Sequence, residues 1–536
     1  MEVETKRTGK KKEEESKMGF NSINEDIVEK ILTKLPALAL ASAACVCKSW
    51  HLSSNRILSR PKLASAISLN PSLDVAIQEV VDKVLSEPIR PHFAIAHGVG
   101  DIFPLQKTSI TLAGKLGSRT PLIVTSASGI MGRDAVTNKF KEVMGGDDNS
   151  DDGQAAADDK NGHSNFNSGF LLTVGYVPGL KVDVVPLRSV KQAFEGGLMV
   201  DQFVKEIISY TASVSNCTSP VGIIMFGSEN IDLKPVIEKL DYAMSKETII
   251  VGDQKTKLLF RSKKELRNPY VDGAALVLAK DREKPHGIGE IQFHAALSKG
   301  VSAAGPRYKA ASVRAVASDC TTWLTARREG EQEILDGQRI LDGINDELVN
   351  RVGCFDLFIG VTERRKCCIW KEKPRLMSSL AFHGITGGDE EYLFVQGTGI
   401  KTADYFQVYH SDPSAALASV RKVSTELGKL RLDWNSKKSL DPSETSIDCK
   451  TECIGGFIFS CCGRGESFFE CSNVDSSPFL ENFAEVPFAG IFCGGEIGRG
   501  FSVSNAQEEQ EVSSCLHVYS SVYLVLSYTP AKISEC

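Results

Sequence analysis

Long apolar runs are missing from the 536-residue chain. No stretch reaches the roughly 18 residues that a membrane-spanning helix needs, and the longest candidate is the alanine-rich segment 35–47. The first residues, MEVETKRTGKKKEEESK, are charged where a secretory leader has an apolar core. These absences predict a cytoplasmic and/or nuclear protein without a membrane partner.

An excess of positive charge is also missing. The formal net charge is −6 and the pI is near 6.0, which argues against wholesale binding of nucleic acid or of an anionic membrane. We therefore expect protein or small-molecule partners and no nucleic-acid partner. The 15 cysteines are expected to be mostly reduced thiols, because the cytosol is reducing. Their spacing shows no pair of CxxC knuckles, so we predict no metal site.

Common catalytic signatures are absent as well. The sequence has no GxxxxGK[ST] phosphate loop, no HExxH, no GxSxG and no recognisable ubiquitin-transferring domain. A histidine at the end of a strand, such as His97, is more often structural, and no base partner for a nucleophilic Cys462 is identifiable. We therefore predict a non-catalytic protein without a cofactor. Leucine-rich, kelch and propeller repeats are not found either.

The first strong positive pattern is helical. The segment INEDIVEKILTKLP (23–36) has apolar residues at helical spacing, a capping Asn24 and a terminating Pro36. A second helix is predicted through ALALASAACVCKSWHL (37–52), and Trp50 supplies a bulky anchor. Two short helices cannot bury their own apolar faces, so this hairpin needs either an external partner or the rest of the chain.

The remaining sequence alternates between strand-like and helical segments. Apolar, β-branched and aromatic runs such as HFAIAHG (92–98), VGIIMFG (221–227) and GGFIFSC (455–461) are separated by amphipathic stretches. This alternation predicts mixed or parallel sheets with helices packed on them. The expected fold class is therefore α+β or α/β: an N-terminal all-helical hairpin followed by a large, two-part mixed α/β region.

The hairpin resembles the F-box, the helical motif that docks a protein onto the Skp-type adaptor of a cullin ubiquitin ligase. The resemblance rests on LTKLP (32–36) followed by VCKSW (46–50) in an apolar period. It implies an adaptor-binding set: Ile27, Ile31, Leu32, Leu35, Pro36, Leu40, Val46, Cys47 and Trp50.

A second resemblance lies near the C-terminus. The segments GGFIFSCCGRGESFF (455–469) and EVPFAGIFCGGEIG (485–498) are similar to the C-terminal FIST domain, and the upstream α/β region is expected to be the N-terminal FIST half. The family is proposed to sense small, amino-acid-like ligands. The resemblance implies a set of ligand- or substrate-binding residues: Cys462, Gly463, Arg464, Gly465, Gly495, Glu496 and Gly498.

Two interpretations of Arg464 and Glu496 stay open from the sequence. A guanidinium between two glycines is able to bind a carboxylate or phosphate, while Glu496 binds an amine. Alternatively, the two side chains form an internal salt bridge between two glycine-rich turns.

These patterns predict a domain order. The expected ranges are a disordered tail at 1–21, an F-box at 22–62, a helical linker at 63–91, an N-terminal FIST domain at 92–327 with an Asp-rich insertion at 144–168, a C-terminal FIST domain at 328–528 and a tail at 529–536.

The resemblances together predict the substrate-recognition subunit of an SCF-type cullin ubiquitin ligase. The F-box would dock the Skp-type adaptor and the FIST region would recruit a protein substrate for ubiquitination and proteasomal degradation. The alternative is a small-ligand sensor in signal transduction, with an F-box that serves regulation.

Overall fold

The structure is a computed structural model, and it describes residues 24–100, 103–145, 169–188, 196–265, 271–316, 320–349, 355–369, 373–436, 450–501 and 515–531. The expected N-terminal tail, most of the Asp-rich insertion and residues 532–536 lie outside these ranges. The chain divides into two compact units, one formed by 24–60 with 85–90 and the other by the remaining described residues.

The smaller unit contains three helices, not the predicted two: α1 (Glu25–Leu32), α2 (Ala37–Ala43) and α3 (Lys48–Ile57). The apolar period continues from α2 into α3, but the helix is interrupted between Ala44 and Cys47. Cys47 has an extended backbone, and its Sγ accepts a hydrogen bond from the Trp50 amide at 3.5 Å. A thiol thus takes the capping role that serine or aspartate usually has.

The larger unit is built from three consecutive segments and an inserted barrel. The first segment comprises β1 (Lys62–Ser68), α4 (Leu73–Val84), β2 (Phe93–Val99), α5 (Leu105–Leu116), β3 (Leu122–Ala127), β4 (Gly129–Arg133), β5 (Phe140–Met144) and β6 (Phe170–Tyr176). The second comprises β7 (Leu180–Leu187), α6 (Gly196–Val214), β8 (Gly222–Ser228), α7 (Lys234–Ala243), β9 (Ile249–Thr256), β10 (Leu258–Arg261) and β11 (Gly273–Lys280).

The third segment starts with β12 (Glu290–Ser298) and is then interrupted by the barrel. The barrel comprises β13 (Val301–Val316), β14 (Thr321–Arg328), α8 (Gly337–Leu348), β15 (Leu357–Cys367), β16 (Arg375–Gly388), β17 (Leu393–Gln396) and β18 (Tyr405–Ser411). The segment resumes with α9 (Pro413–Ser436), β19 (Glu452–Cys461), α10 (Glu466–Phe469), α11 (Ser477–Asn482), β20 (Phe488–Cys493), β21 (Glu496–Arg499), β22 (Leu516–His517) and β23 (Ser521–Thr529).

The three segments repeat one topology. Their sheets have the orders β1-β6-β2-β3-β10, β7-β11-β8-β9-β21-β22 and β12-β23-β19-β20-β4-β5. In each sheet the last strand of the segment lies between the first and second, and each sheet holds one parallel ladder among its described strands: β2 with β3, β8 with β9, and β19 with β20. A parallel pair needs a crossover, which the helical stretch between its two strands supplies.

Each segment also lends one or two strands to another segment's sheet: the first lends β4 and β5, the second lends β10, and the third lends β21 and β22. Strand β4 pairs with β20, β10 pairs with β3, and β21 pairs with β9. The exchange runs in a closed ring: the first segment completes the third sheet, the second completes the first, and the third completes the second. Each of the three sheets is therefore completed by a strand from another segment.

The inner faces of the three sheets share one apolar core. At its centre the Phe226 ring contacts His97, with centroids 5.5 Å apart, and Phe459, with centroids 6.2 Å apart. The outer faces of the second and third sheets are covered by α6 with α7 and by α9 with α11, respectively. Burial on both faces explains why the central strands read as continuous apolar runs.

The barrel closes in the order β13-β14-β17-β16-β15-β18. Its interior packs Tyr308, Leu324 and Phe406 against residues of α8, including Ile340 and Ile344. Each barrel strand pairs with a neighbour on both sides over part of its length. The sequence did not predict this barrel.

The mixed α+β class is confirmed, but two predicted boundaries need correction. The expected helical linker at 63–91 contains β1, which pairs along its whole length with β6. The expected boundary near residue 328 falls inside the barrel, since β13 and β14 precede it and β15 to β18 follow it. Among the described helices, none combines the length and apolarity needed to cross a membrane.

Candidate functional site

Helix α1 of the small unit carries apolar side chains on two faces. The Asn24 side chain caps the helix by accepting a hydrogen bond from the Asp26 amide at 3.1 Å. Val28 and Leu32 point into the unit, whereas Ile27 and Ile31, one turn apart, point outward. A helix that is apolar on both sides has a second surface to bury.

The inward residues form the core of the small unit. Leu32 and Leu40 are buried with Val28 and Ala43, and Leu35 and Trp50 pack around them half-buried. The sequence placed Leu32 and Leu40 among the adaptor contacts, but their side chains are enclosed by this core. Leu32 and Leu40 therefore position the outward-facing residues instead of contacting the adaptor, because a close-packed core fixes the helices around it.

Five aliphatic side chains of the small unit are exposed to solvent. We define the apolar patch as Ile27, Ile31, Leu38, Val46 and Leu52, whose exposed fractions are 51%, 48%, 72%, 66% and 63%. Five large exposed aliphatic side chains on one small unit indicate a protein-interaction surface. Leu38 and Leu52 were not predicted, because they lie between the positions of the apolar period.

Polar contacts fix the three helices around this patch. Pro36, which lacks an amide hydrogen, stands immediately before α2, and the next amide, at Ala37, donates to the Leu85 carbonyl at 2.9 Å. Glu29 of α1 accepts from Arg56 of α3 at 2.8 Å. Pro36 and Cys47, both predicted adaptor contacts, are exposed.

The second predicted site lies where β19 ends. Arg464 follows Cys462 and Gly463 in a short 3₁₀ turn, and its side chain is fully enclosed. Its Nε and Nη2 donate to the two carboxylate oxygens of Asp475 at 2.9 and 2.6 Å. Nη1 donates to the Tyr519 carbonyl and Nη2 also donates to Ser298 Oγ, at 2.9 and 3.0 Å. The guanidinium thus has protein partners on every side.

Asp475 also has several hydrogen-bond partners besides Arg464. Ser460 Oγ donates to its carboxylate at 2.7 Å, and Tyr523 donates its hydroxyl hydrogen to the Asp475 carbonyl at the same distance. Burial opposes the charge on Arg464, but the charge of Asp475 and its hydrogen bonds raise the pKa of the guanidinium. The predicted salt bridge with Glu496 is therefore wrong, because the guanidinium pairs with Asp475 instead, while ligand binding by Arg464 stays a prediction.

Glu496 is buried in a separate environment. It accepts hydrogen bonds from the Ser520 amide and hydroxyl at 3.2 and 2.7 Å, and it lies directly across from Asp253 on the paired strand β9. Burial raises the pKa of Glu496 and that of Asp253 to about 8 each. Burial favours the neutral form of Glu496, which makes it a poorer partner for an amine.

The glycines of the two turns serve close packing. A Cβ on Gly463 would lie 2.8 Å from the Tyr519 ring, and one on Gly498 would lie 2.6 Å from Phe501. A Cβ on Gly495 would meet the Gln254 side chain at 2.8 Å, whereas Gly465 has ordinary contacts only. Cys462 is the exposed residue of the set.

The other residues that were considered as catalytic or metal-binding are His97 and the groups of cysteine, histidine and acidic side chains. His97 is buried, its Nδ1 lies 2.6 Å from Thr125 Oγ1, and burial lowers its pKa to about 3. This environment agrees with the structural interpretation of a histidine that ends a strand. Within the described ranges, no three histidine, cysteine or acidic side chains are grouped so that they could hold a metal ion.

Comparison with known proteins gives the class of this protein. Residues 20–59 match the F-box domain, and residues 383–499 match the FIST C domain. The first range contains the apolar patch, and the second contains both glycine-rich turns. This is thus an F-box protein with a FIST C domain, and an F-box domain implies binding of a Skp-type adaptor within an SCF complex.

A close relative then gives the family. The chain is 44% identical over 521 residues, covering 95% of this chain and 93% of the relative, to the F-box/LRR-repeat protein At5g63520 of Arabidopsis thaliana, and it belongs to the same family. That name mentions a leucine-rich repeat, whereas the described strands of the present chain form three mixed sheets and a barrel rather than a parallel solenoid.

Proposed function

We propose that the protein is the substrate-recognition subunit of an SCF-type cullin ubiquitin ligase. In this function the small helical unit docks the Skp-type adaptor, and the larger unit, including the FIST C domain, holds a substrate protein for ubiquitination and proteasomal degradation. The protein acts in the cytoplasm and/or nucleus and does no chemistry itself. It raises the effective concentration of a substrate lysine near the ubiquitin carrier.

The apolar patch is the observation that supports this proposal. It lies within the range that matches the F-box domain, and its side chains are exposed although the same helices already have a closed core. Large aliphatic side chains of this kind supply most of the energy of an interface when a partner covers them. The proposed contacts are therefore Ile27, Ile31, Leu38, Val46 and Leu52, with Leu35, Pro36, Cys47 and Trp50 around them.

Co-purification with the adaptor tests this proposal. Val46→Glu places a charge in the apolar patch, and Val136→Glu places the same charge on an equally exposed valine of the larger unit. We expect wild type and Val136→Glu to recover adaptor and Val46→Glu to lose it. Equal recovery by all three proteins would refute the docking surface.

A cavity supports small-ligand sensing as a second candidate function. Its volume is about 600 Å³, and it lies between the start of α5 and the end of β8, where Phe103, Gln106, Ser228 and Leu258 are among the lining residues. Ligands of α/β proteins often bind at the carboxyl ends of parallel strands. This site is distinct from Arg464.

A thermal-shift screen of small metabolites tests ligand binding in this cavity. The screen is repeated on Leu258→Trp, whose larger side chain fills the cavity. The sensing function requires a metabolite that raises the melting temperature of the wild type and not that of the variant.

A further inference from the structure

The outer wall of the barrel carries a row of cations. Along β13 the side chains of Tyr308 and Ala310 enter the barrel core, whereas Arg307, Lys309 and Arg314 are exposed. A β-bulge between Ala310 and Ser312 shifts the alternation, which keeps Arg314 on the outer face with the first two. We call Arg307, Lys309 and Arg314 the cationic stripe.

Aromatic rings from the neighbouring strands lie beside this stripe. Arg307 and Lys309 lie over the ring of Tyr405 on β18, at 4.8 and 5.3 Å from its centroid. Arg314 lies over Trp323 on β14 at 5.6 Å, and Trp323 in turn meets Phe394 edge-on at 5.4 Å. Tyr405 and Trp323 are only half-buried. The rings orient the cations and also offer apolar surface to a ligand.

The charge of the cationic stripe is largely uncompensated. In the described part of the chain, Lys309 and Arg314 form no ion pair with a carboxylate. Arg307 has one, with Glu329 at 3.8 Å, and both side chains of that pair are 49% exposed. Exposed pairs of this length contribute little, and a cation–π contact neutralises no charge. The stripe is therefore able to bind added carboxylates.

Acidic side chains cluster at α8, and one of them, Glu347, reaches β13, where it accepts a hydrogen bond from the Gly305 amide at 2.6 Å. The segment that leads into and forms α8 contributes Glu331, Glu333, Asp336, Asp342, Asp346 and Glu347. Helix α8 packs against the barrel core through Ile340, Ile344 and Leu348. We therefore expect the α8 segment to repel an acidic ligand and the cationic stripe to attract it.

We propose that the cationic stripe binds an acidic, unfolded segment of a substrate protein. Carboxylates of that segment pair with Arg307, Lys309 and Arg314, and its apolar side chains pack on Tyr405 and Trp323. The contact is made by side chains, because the cations and rings lie on the outer face of the wall. The inference rests on the proposed receptor function and supplies its substrate class. A peptide is favoured over nucleic acid because the chain carries a net charge of −6.

Fluorescence anisotropy on the full-length chain tests the inference with three labelled probes. They are a peptide of about twelve residues that alternates glutamate with leucine, the same peptide with lysine for glutamate, and a single-stranded oligonucleotide of similar length. We expect binding of the glutamate peptide, no binding of the lysine peptide, and weaker binding as salt rises. Tighter binding of the oligonucleotide to the cationic stripe would overturn the inference.

Variants locate the binding. Lys309→Gln/Arg314→Gln should weaken binding of the glutamate peptide by about tenfold, while Lys115→Gln/Arg119→Gln, a matched pair of exposed cations on and after α5, should not. Thermal unfolding should show that both variants fold. Equal affinities for both would contradict the inference. Adaptor recovery, measured in parallel, should stay unchanged in both variants. A failure of the peptide-binding proposal can therefore be told apart from a failure of the adaptor-docking proposal.

Discussion

Arg464 and Asp475 form a two-bonded ion pair that is enclosed within the third sheet and its helices, with contacts of 2.6 and 2.9 Å. The pair joins the end of β19 to the loop before α11, and Arg464 also reaches Ser298 at the end of β12. Through Ser298 and the Tyr519 carbonyl, one guanidinium ties together parts of the chain that the inserted barrel separates in sequence.

Removing one partner of this pair should be costly. We predict that Arg464→Met lowers the free energy of unfolding by about 3–5 kcal/mol, because Asp475 is left as a buried, unpaired charge. Arg188→Met, which removes an exposed pair with Glu265, should cost less than about 1 kcal/mol. Denaturant unfolding of both variants measures this difference. Similar small losses would show that the ion pair is not a stabilising contact.

The facing carboxyls of Glu496 and Asp253 should make stability depend on pH. Burial raises the pKa of each to about 8, so the folded state holds protons that the unfolded state has released between about pH 5 and pH 8. Stability should therefore fall as pH rises through this window, on the order of 1.4 kcal/mol per pH unit for each group.

Glu496→Gln isolates this effect because glutamine keeps the shape and cannot ionise. We expect its stability relative to wild type to improve as pH rises from about 5 to about 8. Urea unfolding at several pH values measures the difference. A constant difference across the window would mean that the Glu496 carboxyl does not titrate there.

The exchange of strands among the three segments predicts how the chain can be divided. A fragment of residues 62–188 lacks β10, which completes its sheet, and leaves β4 and β5 without β20, so it should not fold alone. Residues 300–412, which contain the whole closed barrel, should keep β structure. Circular dichroism and proton NMR of the two fragments test this. A well-folded 62–188 fragment would contradict the interlocked topology.

Buried and exposed apolar residues of the small unit should behave differently on truncation. Leu32→Ala removes core contacts and should cost about 2–5 kcal/mol, whereas Ile31→Ala, one residue earlier and exposed, should change stability little. Thermal unfolding of the small unit in the full chain gives the comparison. The opposite order would mean that the two faces of α1 are assigned wrongly.

Local patterns identified many elements but not their long-range partners. The period of Ile27, Val28, Ile31 and Leu32 predicted α1, because one helical turn is encoded in neighbouring residues. The barrel and the exchange of β4, β10 and β21 depend on pairings far apart in sequence, which no local period contains. Strand identity was therefore predictable and sheet membership was not.

The candidate site shows the same limit. The F-box positions were found from their spacing, but the sequence did not separate buried Leu32 and Leu40 from exposed Leu38 and Leu52. The sequence Gly463-Arg464-Gly465 does not predict whether the arginine side chain is exposed or buried. Its partner, Asp475, lies in the segment NVDSSPF, and nothing in that segment indicated a pair with Arg464.

The affinity of the Skp-type adaptor for the full-length chain tests the central claim most directly. Isothermal titration should show tight binding to wild type and to a control with charges on two exposed residues of the larger unit, Ile110→Glu/Leu376→Glu. Binding to Ile31→Glu/Leu38→Glu should be weakened by at least about a hundredfold, because two charges would be buried without partners. Equal affinity for all three proteins would contradict the assignment of the apolar patch as the adaptor surface.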